Sequence, residues 1–435
     1  MLDLKFGCVL FDDPFVHESG WACVSGQKAL RVPGTQHLST DTVWLTNLSY
    51  DLIYGAGLNR NPRFRRTEYL RQKLKQITNA LGLQEDPTQQ VEVLAEVFER
   101  VVSATAKMLS IDHIPLDTLA KGVRELLGPP DPVLPQAIHK ILEDSAKSWT
   151  ICQVPYMEHR ERKRFVLPPQ AHAKELLMAP LPAGSWDRVA ANKIPGKNAC
   201  LETWLNEMRT PCMARVVINR IDPQYNALVN YGSDTRESRG NRQWVTTTEM
   251  LSLLQMAAEI QILEVISCEG TVGIGEKMQR ILSMPDECQL SMSWGLFMEN
   301  LWAGFCASYP PPASQRGGKA SFNPIAPFLR AHDRTLCLQA AIRLAQEGMT
   351  ILGYGTGSVD FDASGVSEAE IVRAALKVGV LPPPCRLSYK AVQEIQGKIT
   401  SPLGAMQMLL ATGNSKQMLE ADKQIINQLI LEEAA

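Results

Sequence analysis

The chain has 435 residues, enough for two or three domains with sizeable cores, and its net charge is −2. That balance excludes a global basic field, so any nucleic-acid contact must be local. The ten cysteines form no Cys-x-x-Cys pair, which argues against a zinc ribbon or a secreted disulfide framework and suits a reducing cytoplasm. No run approaches the roughly 20 apolar residues of a membrane helix, and the N-terminus has no basic segment leading into an apolar core. A soluble, cytoplasmic protein is expected.

Lys5 to Phe11 is an apolar run ending at Asp12 and Asp13, and Thr42 to Leu45 is a second, followed by Asn47-Leu-Ser-Tyr-Asp51. Both predict buried strands. Arg60, Arg63, Arg65, Arg66 and Arg71 form the densest basic cluster, with Phe64 and Tyr69 interleaved. Cations attract phosphates and aromatics stack on bases, although a solvated helix start accounts for the cluster equally well. In Gln89 to Leu109, Val91, Leu94, Ala95, Phe98, Val101 and Val102 share one helical face. The proline-dense Gly128 to Pro135 breaks the chain, and a domain boundary is expected near Trp149.

Arg160, Arg162, Lys163 and Arg164 form a second basic cluster, followed by Leu167-Pro-Pro-Gln-Ala-His-Ala-Lys-Glu-Leu-Leu-Met-Ala-Pro-Leu-Pro182. Ala214 to Asp222 alternates as a strand, and Tyr231 to Asn241 is a polar loop. Thr246 or Thr247 is placed to cap a helix running to about Ala258, with Glu249 as the returning carboxylate. Ile260 to Ile266 is another strand. Gly270 to Gly275 lacks the Gly-Lys-Ser/Thr ending of a phosphate loop and reads as a plain loop. Leu296 to Ala307 is helical; Arg316, Lys319, Arg330 and Arg334 follow as possible backbone contacts. Arg334 to Glu347 carries apolar residues at helical spacing, Met349 to Leu352 is a strand, and a Gly-rich turn leads back through Val359 and Phe361. Helices are expected at 367–378, 388–397 and 402–429.

Helix, glycine, strand, tight turn, strand resembles the hairpin carrying two metal-binding aspartates in family B DNA polymerases. That family's turn reads Tyr-Gly-Asp-Thr-Asp-Ser. With Thr356 and Ser358 in register, the two Asp positions are Gly355 and Gly357, and Tyr354 is displaced by one residue. Other stretches are similar to the family in the same order. The N-terminal strands resemble its RNase H-like proofreading exonuclease, with Asp12 and Asp51 as the first two acids, Asp131 or Asp144 as candidates for the third, and Pro14 where the Glu of Asp-x-Glu belongs. Tyr156 and Arg160 match the Tyr-x-Gly-Gly-Arg linker that touches the template strand. Aligning Leu177-Met178 and Leu181-Pro182 puts Pro168 at the first palm aspartate, Ala171 at the motif's Ser and Ala173 at the Tyr that excludes ribonucleotides. Asn300 and Gly304 match the fingers helix, with Leu296 at its triphosphate-gripping Lys.

The resemblance implies an α/β and α+β multidomain chain. Its parts would be an exonuclease-like domain at 1–149, a palm and fingers region at 150–365 and a short helical thumb at 366–435. Nucleotidyl transfer in that family uses two magnesium ions about 4 Å apart. Magnesium binds carboxylates and phosphates, which glycine and proline do not supply. The resemblance therefore implies a catalytically inactive protein without a resident metal, magnesium being relevant only if activity survives. It would bind DNA or RNA, single-stranded or primer-template, through Arg160, Arg162, Lys163, Arg164, Asn300, Gly304, Arg316, Lys319, Tyr354 and Thr356, or scaffold a nucleoprotein complex with other subunits. Two alternatives stay open. One is a divergent enzyme, either a nuclease using Asp12, Asp13 and Asp51 or a polymerase with Asp360 and Asp362 as relocated ligands. The other is a protein-interaction module with no nucleic-acid role.

Overall fold

Alternation of apolar residues builds the first sheet. Strands β1 (Lys5–Phe11), β2 (Glu18–Val24), β3 (Leu30–Gly34), β4 (Thr42–Thr46) and β5 (Phe64–Arg65) lie in the order β3-β2-β1-β4-β5. β1 runs antiparallel to β2 and parallel to β4, and β5 is parallel to β4. Successive β1 side chains point to opposite faces. Phe6 and Cys8 face one side, and helix α2 (Pro87–Met108) packs on β1 and β2, with Phe6 edge-on to Phe98 at 5.5 Å. Val9 and Phe11 face the other, in a cluster with Trp44, Leu48 and Phe64. Gly7 sits beside Trp44 in register, where a Cβ would come within 2.6 Å of the indole.

Asp86 starts α2 by accepting the backbone N–H groups of Thr88 and Gln89, and Pro87 adds a pre-set φ at the first position. The buried stripe includes Val91, Leu94, Ala95, Phe98, Val101 and Val102, as the periodicity predicts. Truncating the fully buried Phe98 to Ala should cost about 3–5 kcal/mol.

This computed structural model describes residues 5–55, 64–65, 78, 83, 85–109, 123, 126, 136–145, 149–152, 160–195, 198–208, 210–229, 241–273, 275–284, 291–306 and 323–383. The chain divides into two units. One is Met1–Val123 with Ser283–Leu301 and Pro384–Ala435; the other is Arg124–Leu282 with Trp302–Pro383.

The second unit holds two antiparallel four-stranded sheets. In one, β8 (Pro182–Arg188), β9 (Cys212–Arg220), β10 (Asn241–Thr246) and β11 (Glu259–Thr271) take the order β10-β9-β11-β8. β11 extends five residues past the Ile266 read from its apolar run. In the other, β6 (Thr150–Ile151), β7 (Arg162–Val166), β12 (Thr350–Gly355) and β13 (Ser358–Asp362) take the order β6-β12-β13-β7.

The helices around them are α3 (Gln136–Ser145), α4 (Pro169–Met178), α5 (Asn198–Glu207), α6 (Pro223–Asn226), α7 (Thr247–Gln255), α8 (Glu276–Leu282), α10 (Ile325–Gln346) and α11 (Glu368–Val378). α9 (Ser291–Cys306) crosses the division between the units in sequence. Thr246 caps α7 in a reciprocal pair with Glu249, as the spacing predicts. Glu249 also meets Arg334 of α10, a buried ion pair that fastens α7 to the helix carried across β12. α10 begins nine residues before Arg334, because Pro327 falls in its first turn, where no N–H is required.

One expectation changes outright. Phe64 is a strand residue in the core of the first unit rather than an aromatic presented beside arginines. The rest of that cluster, Arg60, Arg63, Arg66, Arg71 and Tyr69, lies outside the described residues, as do Arg316, Lys319, Asp131, Tyr156 and the helices expected beyond residue 383.

Candidate nucleic-acid interface

The hairpin of β12 and β13 closes through Thr356 and Gly357, with Gly355 paired to Ser358. Thr356 has φ 46° and Gly357 φ 69°. Two consecutive positive φ values define the tight turn whose twist suits a hairpin, and glycine meets that demand without strain at the second position. Buried beneath the turn is Asp333 of α10, wholly shielded from solvent. Its carboxylate accepts the backbone N–H of Thr356 at 2.5 Å and of Gly357 at 2.8 Å. Nε2 of His172, on α4, lies 2.8 Å from Asp333 Oδ1 but out of line for a hydrogen bond. Gly357 has a second reason to be glycine: a Cβ there would lie 2.7 Å from Cε1 of His172.

Around this tip sit the residues singled out from the sequence. Pro168 occupies the cap position of α4, with Pro169 at its first turn. Neither Gly355, Gly357 nor Pro168 carries a side-chain oxygen, and the carboxylate nearest the turn, Asp333, is engaged with backbone amides. Among the described residues, no group of three or more His, Cys, Asp or Glu side chains comes together to hold a metal. Glycine and proline at these three positions offer a magnesium pair no carboxylate.

Asp360 and Asp362 share a face of β13, as alternation predicts. Neither is solvated: Asp360 is fully buried and Asp362 is 4% exposed. Asp360 lies between Arg162 and Arg164 of β7. Arg164 donates from Nε to Oδ1 at 2.6 Å and from an Nη to Oδ2 at 3.2 Å. Arg162 donates from Nε to Oδ2 and also places an Nη against that oxygen. The hydrogen bond to Asp360 raises the pKa of Arg164. At Asp362 burial acts to raise the pKa, but hydrogen bonds from Ser364 and the backbone, with the charge of Arg160, carry it below its ordinary value. Ser364 N–H reaches its Oδ1 at 3.0 Å. Among the described residues both carboxylates therefore serve to hold arginines and backbone.

The two arginine side chains remain more than half exposed, at 59% and 55%. Arg164 also lies 5.4 Å from the ring centre of Trp149. Lys163, on the other side of the strand, pairs with Glu161 at 3.1 Å. Further along that face Phe165 stacks on Phe361 at 4.4 Å.

Other predicted contacts fall elsewhere. Tyr354 is 2% exposed, so its ring is not presented at the surface, whereas Thr356 is exposed at the turn. Asn300 donates its side-chain amide to the Leu296 carbonyl one turn back, and Leu296 itself is buried. Gly304 is buried on α9.

In the first unit, Asp12 is held by Arg31, which also reaches Ser19 and lies over Trp21. The hydrogen bond from Arg31 pulls its pKa below the ordinary carboxylate value. Asp13 accepts the Phe15 N–H at 2.8 Å, and Asp51 is an exposed residue of α1 (Tyr50–Gly55).

Sequence reasoning did not identify Asp333, His172 or Trp149 as site residues, and it named Arg162 and Arg164 without their pairing to Asp360. Asp333 could have been found. It falls within the buried seam of α10 with Ala326, Leu329, Cys337 and Leu344, and a charge at such a position demands a partner.

The fold and site together define an α/β chain of two units whose second unit displays arginines beside a tight, internally braced hairpin. No protein-family model and no curated protein matches it. Among solved structures it is similar to phi29 DNA polymerase. The ternary complex with primer-template DNA and incoming nucleotides aligns over 83% of this chain and 81% of that one, at 11% identity and TM-score 0.46. The post-translocation binary complex with primer-template DNA aligns over 83% and 80%, at 9% identity and TM-score 0.49. The complex with single-stranded DNA aligns over 63% and 51%, at 11% identity and TM-score 0.37.

Proposed function

We propose that this chain is a family B polymerase-like protein that binds nucleic acid, single-stranded or primer-template, without transferring nucleotides. The observation that carries this reading is the hairpin tip. The strands and the tight turn are kept, glycines stand where the resemblance calls for aspartates, and the tip amides are taken by Asp333. A turn sealed in this way offers neither carboxylates to magnesium nor free amides to a triphosphate. The mixed α/β sheet of the first unit and the order of the degenerate motifs support the same reading, with residues 1–149, 150–365 and 366–435 as exonuclease-like, palm-and-fingers and thumb-like regions.

Binding would come from exposed cations, chiefly Arg162 and Arg164, which neutralise backbone phosphates regardless of base sequence. The test is fluorescence anisotropy of labelled primer-template DNA titrated with the protein at several salt concentrations. Binding should weaken steeply with salt, and the double variant Arg162→Gln/Arg164→Gln should reduce the slope of log affinity against log salt by about 1–2. A double variant indistinguishable from the unaltered protein would place the interface elsewhere. No shift at the lowest salt would favour a protein-interaction module.

A further inference from the structure

We infer that Arg162, Asp360 and Arg164 form a preorganised clamp for a phosphodiester group, with Trp149 and Gly353 setting the position of one jaw. The inference rests on the nucleic-acid reading above and says how that site grips its ligand.

A single buried carboxylate accepts from both guanidinium groups. Among the described residues it is the acceptor for either. A guanidinium has five N–H donors in a fixed fork, so each arginine keeps donors beyond those spent on Asp360. Both side chains are more than half exposed, so those donors open to solvent. Two cations sharing one buried anion leave a local charge of +1, held in fixed geometry. Phosphate groups are matched by such a fork far better than by a mobile ammonium.

Trp149 backs the second jaw. The Arg164 guanidinium stands over its ring, and the indole lies close against Gly353, where a Cβ would come within 2.7 Å of Nε1. Glycine in the middle of β12 weakens a strand, and here it leaves the room that the indole and the Thr150 carbonyl occupy. Gly353 pairs with Asp360 across the hairpin, so the platform and the anchoring carboxylate sit at one register position. Strand pairing sets Arg164 opposite Asp360 from the other side. The clamp is thus assembled from three adjacent strands with the indole alongside, and needs no closure to form.

This account predicts a sign that charge alone does not. Asp360→Asn removes a negative charge beside the ligand, so plain electrostatics requires tighter binding. A clamp positioned by Asp360 instead loosens when that carboxylate is lost. The experiment measures anisotropy with a fluorescein-labelled oligothymidylate about 20 nucleotides long, a length suited to a single-strand groove. It compares the unaltered protein, Asp360→Asn, Arg164→Lys and Trp149→Phe, each checked for unchanged circular dichroism. Arg164→Lys keeps the charge, loses the fork and lies at a half-exposed position where the fold tolerates it, so it decides the matter even if Asp360→Asn misfolds. The expected result is a loss of affinity of about fivefold or more in both Asp360→Asn and Arg164→Lys, and a smaller loss in Trp149→Phe. Binding by Arg164→Lys equal to the unaltered protein, or tighter binding by a folded Asp360→Asn, overturns the clamp while leaving the nucleic-acid reading intact. Absence of binding by the unaltered protein overturns both.

Discussion

Placing a carboxylate in the hairpin, by Gly357→Asp, tests whether the turn is built around its glycine. Gly357 has φ 69°, a conformation costing a non-glycine residue roughly 1–2 kcal/mol, with aspartate toward the lower end. The new Cβ would approach Cε1 of His172 to 2.7 Å and Nδ1 to 2.8 Å. His172 is 5% exposed and packed between α4 and Asp333, so the ring has little freedom to withdraw. Forcing an overpacked site of this kind to yield costs about 1–3 kcal/mol. Together these give a destabilisation of about 2–5 kcal/mol. Urea unfolding followed by far-ultraviolet circular dichroism measures it, and Gly357→Ala should show most of the same loss, because both contributions are steric. A Gly357→Asp protein within about 0.5 kcal/mol of the unaltered chain would refute the reasoning, since the cost above cannot shrink that far unless His172 is free to move.

Three further outcomes are expected. Thr356→Asn should stabilise the chain by about 0.5–1 kcal/mol, because asparagine tolerates φ 46° and Asn-Gly is the preferred pair for this turn; chemical denaturation reads it. Asp333→Asn should cost about 2–4 kcal/mol in the same assay, since a buried acceptor of two backbone amides becomes half donor. Cys152 and Cys212, whose pKa values burial pushes up to about 12 and about 11, should resist a thiol reagent at pH 8 until the protein unfolds, the thiolate fraction being about one part in a thousand or less.

Much of the fold was legible because local pattern and tertiary role agree. β1 ends where its apolar run ends, α2 buries the face its periodicity announces, and Thr246 caps α7 in the pair its spacing advertises. The hairpin was legible for the same reason, with apolar strands flanking glycines that a tight turn requires. What stayed hidden depends on pairing between distant residues. Asp360 and Asp362 alternate with Val359 and Phe361, and nothing in the local sequence says what faces them. Burial came from β7, nearly two hundred residues earlier, which lays Arg162 and Arg164 against Asp360. Asp12 resembled the first acid of an exonuclease, and its partners Ser19 and Arg31 arrive only with β2 and β3. Phe64 looked like a stacking aromatic among arginines, and only the parallel pairing of β5 with β4 takes it into the core.

The most direct measurement follows labelled primer-template DNA through one native gel and one denaturing gel after incubation with the protein, magnesium and all four deoxynucleotides. The account predicts DNA retarded on the native gel and a primer of unchanged length on the denaturing one. A primer that lengthens, with that lengthening lost in Asp360→Ala or Asp362→Ala, would contradict it.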